Sequence, residues 1–412
     1  MQTPRREFLR TAVGASTLLA LSPVAPAFLC RTALAAAAQR QDRDSVLVVV
    51  QLSGGNDGLN TVVPYEDDAY HRSRPTLRLT AQHVLKLDSG LGLHPEMTAF
   101  MRLYQEGHLA VIQGVGYPDS NRDHEVAMRH WHTSRPLENL TQTGWLGRAI
   151  DRCKTGRRDV PGVFVGPIPS PFAVQTEEAV VPAVKSLDQW LPAGQWAAAS
   201  SFDSQAGAPG ADSLPDFLRR ATLDASASAT RLQAARRSAE TNGSTQYPGF
   251  PLARTLRSVA QLIRAELGIR IYFTELGGGG IGGFDTHAGQ AANQGALLRE
   301  LSESAAAFLD DLRRDRLLDR VWLMTFSEFG RALSENGRRG TGHGAAAPVF
   351  LAGGGLKGGL VGPHPSLTEL DDDAPRFHTD FRRVYATVLD RWLGLDSLPV
   401  LGQRFAPLDV AL

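Results

Sequence analysis

The chain has few cysteines and no surplus of charge of either sign. Its 412 residues include two cysteines, and 43 basic residues balance 43 acidic residues. Nucleic-acid binding depends on a basic surplus that neutralises phosphates, so we expect no nucleic acid as a partner. Cys30 lies in an N-terminal segment that we expect to be removed, which leaves Cys153 without an intramolecular disulfide partner.

Long hydrophobic runs and two common catalytic motifs are also missing. No segment after residue 35 approaches the roughly 20 uninterrupted apolar residues that a membrane span requires, so none is expected after processing. The glycine run at 277–283 is not followed by Gly-Lys-Ser/Thr, which excludes a P-loop. Ser53 lacks the Gly-x-Ser-x-Gly context of a nucleophile elbow.

The first 35 residues have the features of a twin-arginine signal peptide. Arg5-Arg6 precede Phe8-Leu9, an apolar run extends over residues 11–29, and Ala33-Leu34-Ala35 forms a small-x-small cleavage site. We expect the twin-arginine export machinery to carry the folded protein to the periplasm or beyond the cell. The alternative is an N-terminal membrane anchor.

Short apolar runs alternate with longer amphipathic segments along the mature chain. Continuous apolar runs, typical of strands buried on both faces, lie at 45–52, 109–115, 162–166, 269–274, 320–326 and 348–352. Helical spacing of apolar residues occurs at 95–106, 123–133, 251–267 and 289–318. This alternation predicts an α/β fold with a mainly parallel central sheet and helices on both faces.

One stretch departs from the alternation. Residues 197–248 are rich in Ala, Ser, Gly and Gln, which predicts a flexible insertion with helical pieces. We find neither an internal repeat nor a second core in the sequence. The expected organisation is therefore a single domain over residues 36–412, interrupted at about 197–248.

Polar residues follow the predicted strands, at the sheet edge where ligands bind in folds of this kind. Carboxylate, amide and imidazole groups at this edge could converge on a divalent ion. The candidate metal ligands are Asn56, Asp57, Asp285, His287, Glu328 and His343. For single residues simpler interpretations exist, since Asn and Asp often only cap a turn and a His between glycines is often incidental.

A second group of candidates surrounds the start of the helix at 123–133. Asp123 can serve as the helix N-cap, but a helix start at this sheet edge is also where an anion or a nucleophile would be placed. Ser120 is a poorer nucleophile candidate, three residues upstream. Arg122 and Arg331 could hold an anionic substrate or balance acidic neighbours. The helix also carries His124, His130 and His132, which we expect to face solvent.

Seven motifs of the chain resemble a secreted bacterial family, domain of unknown function 1501. They are LSGGNDGLNTVVP at 52–64, GVGYPDSNRDHE at 114–125, GWLGR at 144–148, FDTHAGQ at 284–290, MTFSEFGR at 324–331, GTGHGAAAPVFLAGGGLKGG at 340–359 and TDFRRVYATVLDRWLG at 379–394. That family in turn resembles the alkaline phosphatase and sulfatase superfamily. The resemblance implies an alkaline phosphatase-like fold with a two-metal site and a Ser or Thr nucleophile at a helix start.

The resemblance also assigns ligands. The acid after the first strand of the superfamily corresponds to Asn56 or Asp57, and its Asp-and-His metal pair corresponds to Asp285 and His287. His343 resembles the last His ligand. The cofactor implied is a divalent ion, either zinc, calcium, magnesium or manganese.

Three positions depart from the pattern: the residue before His343 is Gly342, where the family usually has Asp, and two others differ from the superfamily. Its Asp-His-Gly motif resembles Glu328-Phe329-Gly330 here, so the carboxylate is kept as Glu and the imidazole is replaced by a phenyl ring that cannot bind metal. Asp123 stands where the family commonly has the nucleophilic Ser. The departures predict attack by metal-activated water, with Asp123 as a general base or a further ligand.

Three functions compete at this point. The leading interpretation is an exported metal-dependent hydrolase of small-molecule or polymeric phosphate or sulfate esters. The alternative is a catalytically degenerate binding or cell-surface assembly protein that uses the same cleft. The third is a serine hydrolase built on Ser53 with His287 or His343, against which the missing elbow argues.

Overall fold

The structure, a computed structural model, describes residues 45–88, 90–136, 141–153, 160–166, 170–185, 246–277 and 283–412. The signal peptide expected at residues 1–35 lies outside the described residues. So does the insertion expected at about 197–248, apart from its last residues, 246–248. Both remain predictions.

Most of the described helices lie between strands, and the last two follow the final strand. They are α1 Gly58–Thr61, α2 Asp68–Ser73, α3 Thr98–Gln105, α4 His124–Thr133, α5 Trp145–Cys153, α6 Pro251–Arg264, α7 Gln290–Arg314, α8 Phe381–Ala386 and α9 Ser397–Leu401. Helix α8 continues directly as a π-helix, Thr387–Leu393. Two 3₁₀ turns, Phe172–Val174 and Leu318–Arg320, complete the helical segments of the described ranges.

The described strands range from two to eight residues. They are β1 Val46–Leu52, β2 Val62–Val63, β3 Leu85–Lys86, β4 Gly92–Leu93, β5 Leu109–Gly116, β6 Gly162–Val165, β7 Ala183–Val184, β8 Ile271–Leu276, β9 Val321–Phe326, β10 Arg331–Glu335, β11 Thr341–His343, β12 Ala347–Gly353, β13 Gly359–Val361, β14 Leu370–Asp371, β15 Ala374–Pro375 and β16 Thr379–Asp380.

Nine of these strands form the central sheet, in the order β13-β5-β12-β9-β1-β8-β6-β7, with β16 paired to β5. β1 lies in the middle and runs parallel to both neighbours, with Val48 opposite Tyr272 of β8 and Leu323 of β9. Only β12 runs antiparallel to its neighbours in this described sheet, pairing Leu351 with Met324 of β9 and Ala110 of β5. The sheet is mainly parallel, as the sequence predicts.

The core lies on both faces of the sheet because side chains alternate along each strand. Val46, Val48 and Val50 of β1 pack against α3, α6 and α7. Leu47 and Val49 point to the other face and pack with residues of α4, α5 and α8. The predicted arrangement of helices on both faces is therefore confirmed.

Two predicted boundaries differ from the structure for local reasons. The strand expected at 269–274 is Ile271–Leu276, because the backbone N–H groups of Arg270 and Ile271 both donate to Pro161 O before pairing begins. The helix expected at 289–318 ends at Arg314, since Arg316 adopts a left-handed φ of 59° that closes the last turn. No helix in the described part of the chain combines the length and apolar character needed to cross a membrane.

The expectation that His132 of α4 faces solvent is wrong, because the structure buries it, and this burial makes stability depend on pH. The His132 ring is enclosed, its Nε2–H donates to Gln51 Oε1 at 2.6 Å, and burial lowers the pKa of His132 to about 3. The unfolded chain takes up this proton near pH 6.5 and the folded chain does not, so stability present above that pH is lost as pH falls toward 3.

We therefore expect the free energy of unfolding to fall by about 2 kcal/mol from pH 8 to pH 5 through His132 alone. Denaturant unfolding of chelator-treated protein at these two pH values measures the loss. His132→Gln keeps a donor for Gln51 and cannot titrate, so its stability should fall less with acid. An equal fall in parent and variant would contradict the assignment.

Candidate metal centre

The site lies at the carboxyl edge of the sheet, around a glycine turn that follows β1. Gly54 has a φ of 114°, and a Cβ there would lie 2.4 Å from the backbone N of Asp285. The N–H of Gly54 donates to Glu328 Oε1 at 2.8 Å, and the N–H of Phe284 donates to Ser53 O at 2.9 Å. Only glycine lets the segments after β1, β8 and β9 approach so closely.

Asp285 is the centre of this edge. Its Oδ1 atom lies 3.0 Å from His287 Nε2, 3.3 Å from His343 Nε2, 3.4 Å from His124 Nε2 and 2.7 Å from Arg331 Nη2. The Asp285 side chain is 45% exposed, so one side of this assembly is open to solvent.

Arg331 fixes Asp285 and the surrounding turns. Its side chain has no exposed surface, and besides Asp285 it donates to the carbonyl oxygens of Gly54, Gly55, Phe284 and Thr341. Burial alone would raise the pKa of Asp285, but the hydrogen bond and charge of Arg331 outweigh it and lower the pKa. The carboxylate therefore stays ionised and oriented.

His343 reaches the site on the hairpin formed by β10 and β11. Its Nδ1–H donates to the carbonyl of Arg122 at 2.7 Å, which leaves a lone pair on Nε2. Burial lowers the pKa of His343, which favours this neutral form. Nε2 faces two atoms, Asp285 Oδ1 and, at 2.9 Å, His287 Nε2. Electron-rich atoms this close require a proton or a cation between them.

His124, the first residue of α4, completes the group. Its Nδ1–H donates to Glu328 Oε1 at 2.9 Å, while its Nε2 is buried with no hydrogen-bond partner. The hydrogen bond to Glu328, against burial, raises the pKa of His124. A metal ion would displace the proton that this electron-rich environment attracts.

Three of these side chains are close enough together to bind one metal ion. One donor atom each from His124, Asp285 and His343 lies within 4.8 Å of the others, and we call these residues the His-Asp-His cluster. His287 lies beside the cluster, with its side chain 39% exposed. The cluster can bind a cation and leave a position open for another ligand.

Phe329 forms a buried wall beneath two of the imidazoles. Its ring centroid lies 4.7 Å from that of His343 and 4.9 Å from that of His124. A Cβ on Gly55 would collide with the same ring, at 2.4 Å. Apolar packing on this side restricts how the two imidazoles can turn.

Glu328 lies in the site but faces away from the cluster's centre. Its Oε1 atom accepts from Gly54 N–H and His124 Nδ1–H, and its Oε2 atom lies 3.0 Å from Ser327 Oγ. This arrangement suits a carboxylate that orients a ligating histidine.

Asn56 and Asp57 occupy a separate buried network. Asp57 forms a two-pronged ion pair with Arg74, at 2.6 and 3.0 Å, and also accepts from Gln290 Nε2. Asn56 Oδ1 accepts from Thr61 Oγ1 at 2.9 Å. The structure favours a structural role for both side chains.

The remaining candidates lie at the rim. Asp123 is exposed and caps α4, its Oδ1 accepting from Val126 N–H at 3.1 Å. Arg122 pairs with Asp371 at 3.3 Å and with Asp372 at 3.1 Å. Ser120 is partly buried in the loop before the cap. The guanidinium N–H groups of Arg122 and Arg331 thus donate mainly to protein acceptors. Few of these donors remain available to bind a substrate.

The sequence also supports a family assignment. The family described as "Protein of unknown function (DUF1501)" matches residues 44–400. The chain belongs to that family. No curated protein matches the chain.

Several solved structures resemble the chain distantly. The zinc complex of the C-terminal periplasmic domain of EcEptC from Escherichia coli is 10% identical, with a TM-score of 0.39 over 76% of this chain and 74% of that one. An alkaline phosphatase superfamily protein from Vibrio parahaemolyticus is 9% identical, with a TM-score of 0.38 over 91% and 77%. Phosphonate monoester hydrolase SpPMH from Silicibacter pomeroyi is 14% identical, with a TM-score of 0.32 over 88% and 77%.

Sequence reasoning missed His124 and Arg74. His124 was expected to face solvent, yet as the first residue of α4 its side chain points back toward the sheet edge. Its position directly after the cap, following a buried strand, was the available signal. Arg74 gave no signal, because its partner Asp57 lies on another segment and the pairing depends on the tertiary fold.

Proposed function

We propose that this protein is an exported, metal-dependent hydrolase of phosphate or sulfate esters. The observation that carries the proposal is the convergence of His124 Nε2, buried without a hydrogen-bond partner, with Asp285 Oδ1 and His343 Nε2. Each of these groups is oriented from behind: His124 by Glu328, His343 by the Arg122 carbonyl and Asp285 by Arg331. Such support is typical of ligating residues.

The donor set suits zinc best among the four ions considered. Ligands bound to zinc at about 2.0–2.1 Å in a tetrahedron lie about 3.3 Å apart. Asp285 Oδ1 is 3.3 Å from His343 Nε2, 3.4 Å from His124 Nε2 and 3.0 Å from His287 Nε2. Imidazole-rich sites favour zinc, whereas calcium and magnesium prefer oxygen.

The residues of the site would have separate roles in hydrolysis. A bound divalent ion would polarise the ester and lower the pKa of water. His124, His343 and Asp285 would hold the ion, and the exposed side of Asp285 and His287 would admit the ester. Asp123 is placed at the rim, where it could accept a proton from an attacking water. We expect no covalent intermediate on Asp123.

A second function has one observation in its favour. Arg122 and Arg331, the arginines beside the cluster among the described residues, both bind protein acceptors. A hydrolase of anionic esters usually offers a free cationic group to its substrate. A binding or cell-surface assembly protein with the same cleft would not need one.

Turnover by the metal-loaded protein distinguishes the hydrolase from the binding protein. We expect zinc-loaded protein to hydrolyse at least one of 4-nitrophenyl phosphate, bis(4-nitrophenyl) phosphate and 4-nitrophenyl sulfate, and chelator-treated protein to hydrolyse none. His343→Ala should be inactive on the same esters. Activity that survives both chelation and His343→Ala would overturn metal-dependent hydrolysis, and no activity in any form would favour the binding protein.

Glu328 supplies a separate prediction. Glu328→Gln keeps the side chain's shape but removes the charge that orients and polarises His124. We expect zinc affinity to fall about 10- to 100-fold, as for other partners of ligating histidines. Competition with a fluorescent zinc chelator measures the zinc affinity. Glu335→Gln, which affects a carboxylate bound to Thr76, is the control. Equal affinity in both variants would exclude the positioning role.

Export is part of the proposal. Arg5-Arg6 followed by Phe8-Leu9 indicate the twin-arginine machinery, which carries folded proteins. Replacing both arginines with lysine should leave precursor in the cytoplasm, detected by fractionation and immunoblotting. Normal export of the double variant would contradict the assignment.

A further inference from the structure

We propose that the site prefers esters whose transferred group carries one negative charge, and that Asp123 contributes to this choice. Phosphodiesters and sulfate monoesters carry one such charge. Phosphate monoesters carry between one and two at neutral pH, because their second pKa is about 6. The inference rests on the proposed hydrolase function and specifies its substrate class.

The fixed charges around the cluster cancel half of the charge of a divalent ion. Arg331 adds one positive charge, and the carboxylates of Asp285 and Glu328 each add a negative charge in direct contact with a cluster residue. With a divalent ion bound, this group is left with a single positive charge. A monoanion neutralises that charge, whereas a dianion leaves a negative excess in a partly buried site.

The described cations beside the cluster cannot offset that excess. Arg331 is enclosed and donates to Asp285 and to four backbone carbonyls. Arg122 directs both terminal nitrogens at Asp371 and Asp372. Since both of these aspartates are exposed, at 68% and 92%, they add negative charge to the rim.

Asp123 brings a further negative charge close to the ligands. It precedes His124 directly, so their Cα atoms are about 3.8 Å apart. Its carboxylate is exposed and accepts from Val126 N–H. A dianionic substrate would be repelled from this carboxylate about twice as strongly as a monoanionic one, and salt would screen the repulsion.

Two non-hydrolysable anions of the same shape measure this effect without turnover. Methanesulfonate and methylphosphonate differ by one charge at pH 8.5, and calorimetry gives their affinities for zinc-loaded protein. Asp123→Asn removes the charge but keeps an equally good helix cap. We expect this change to increase the affinity for methylphosphonate about three- to tenfold more than the affinity for methanesulfonate at low salt. At 1 M salt the difference should be smaller.

Asp396→Asn is the matched control. Asp396 is also an exposed helix N-cap, and its neighbour Trp392 donates to Val46 O at the opposite end of β1. Seven residues of strand place that end about 20 Å from the cluster, beyond the screening length. This variant should leave the difference between the two anions unchanged.

Turnover measurements distinguish a failure of the charge selection from a failure of the hydrolase function. We expect Asp123→Asn to lower the ratio of kcat/KM for bis(4-nitrophenyl) phosphate to that for 4-nitrophenyl phosphate by a similar factor. If zinc-loaded parent hydrolyses esters but Asp123→Asn shifts both anions equally, the charge selection is wrong and the hydrolase stands. If no ester is hydrolysed and neither anion binds, the hydrolase and the selection both fail.

Discussion

His124→Ala should lose nearly all of its bound zinc. His124 supplies an Nε2 atom that is buried without a hydrogen-bond partner and whose orientation is held by Glu328. Removing only an outer partner of a ligating histidine usually costs 10- to 100-fold in affinity, so removing the ligand should cost more than about 100-fold. Elemental analysis after dialysis against buffered zinc measures the remaining metal.

The same variant should lose the stability that zinc contributes. At a zinc concentration of about 1,000 times Kd, binding adds about 4 kcal/mol to the folded state. Thermal unfolding with and without zinc should show that increment in the parent and little of it in His124→Ala. His83→Ala, which removes an exposed histidine bonded to Thr80, should behave as the parent. Full metal content in His124→Ala would exclude His124 as a ligand.

Arg331→Met should destabilise the protein by about 3–5 kcal/mol and weaken zinc binding as well. The change leaves Asp285 without its cation and removes the hydrogen bonds that Arg331 donates to the carbonyls of Gly55, Phe284 and Thr341. Each buried carbonyl that loses its donor costs about 1–3 kcal/mol, whereas water can solvate Asp285, whose side chain is 45% exposed. Denaturant unfolding and zinc titration of the folded fraction measure the two effects.

Arg74→Met is the matched control for the second effect. Arg74 is equally enclosed and pairs with Asp57 at 2.6 Å, in the network of Asn56 and Asp57. We expect a similar loss of stability but unchanged zinc affinity once the protein is folded. Equal zinc loss in the two variants would show that the Arg331 effect reflects general destabilisation.

The strand pattern was sufficient to predict the sheet and part of the site. Continuous apolar runs identified the strands that carry the site, and the rule that ligands gather at carboxyl ends placed Asp285, His287 and His343 together. His343 reaches this edge because β12, which follows it, runs antiparallel and begins there. Nothing in the apolar pattern indicates strand direction, so the location of His343 could be predicted but the reason for it could not.

The parts that could not be predicted depend on pairing between distant segments. Glu328 is expected as a ligand, but in the structure its Oε1 atom accepts from Gly54 N–H and from the ring of His124, and its Oε2 atom lies 3.0 Å from Ser327 Oγ. Arg331 is expected at the substrate, but in the structure four carbonyls from three segments of the chain accept its hydrogen bonds. Local propensity and spacing do not contain such contacts, because they arise only when the strands are assembled.

The most direct test of a single zinc site is anomalous diffraction at the zinc edge from crystals grown with zinc. We expect one strong anomalous peak within bonding distance of His124 Nε2, Asp285 Oδ1 and His343 Nε2. Data recorded below the edge should lose that peak, which identifies the element. Absence of a peak at these three atoms in zinc-equilibrated crystals, with zinc bound elsewhere on the chain, would contradict this expectation.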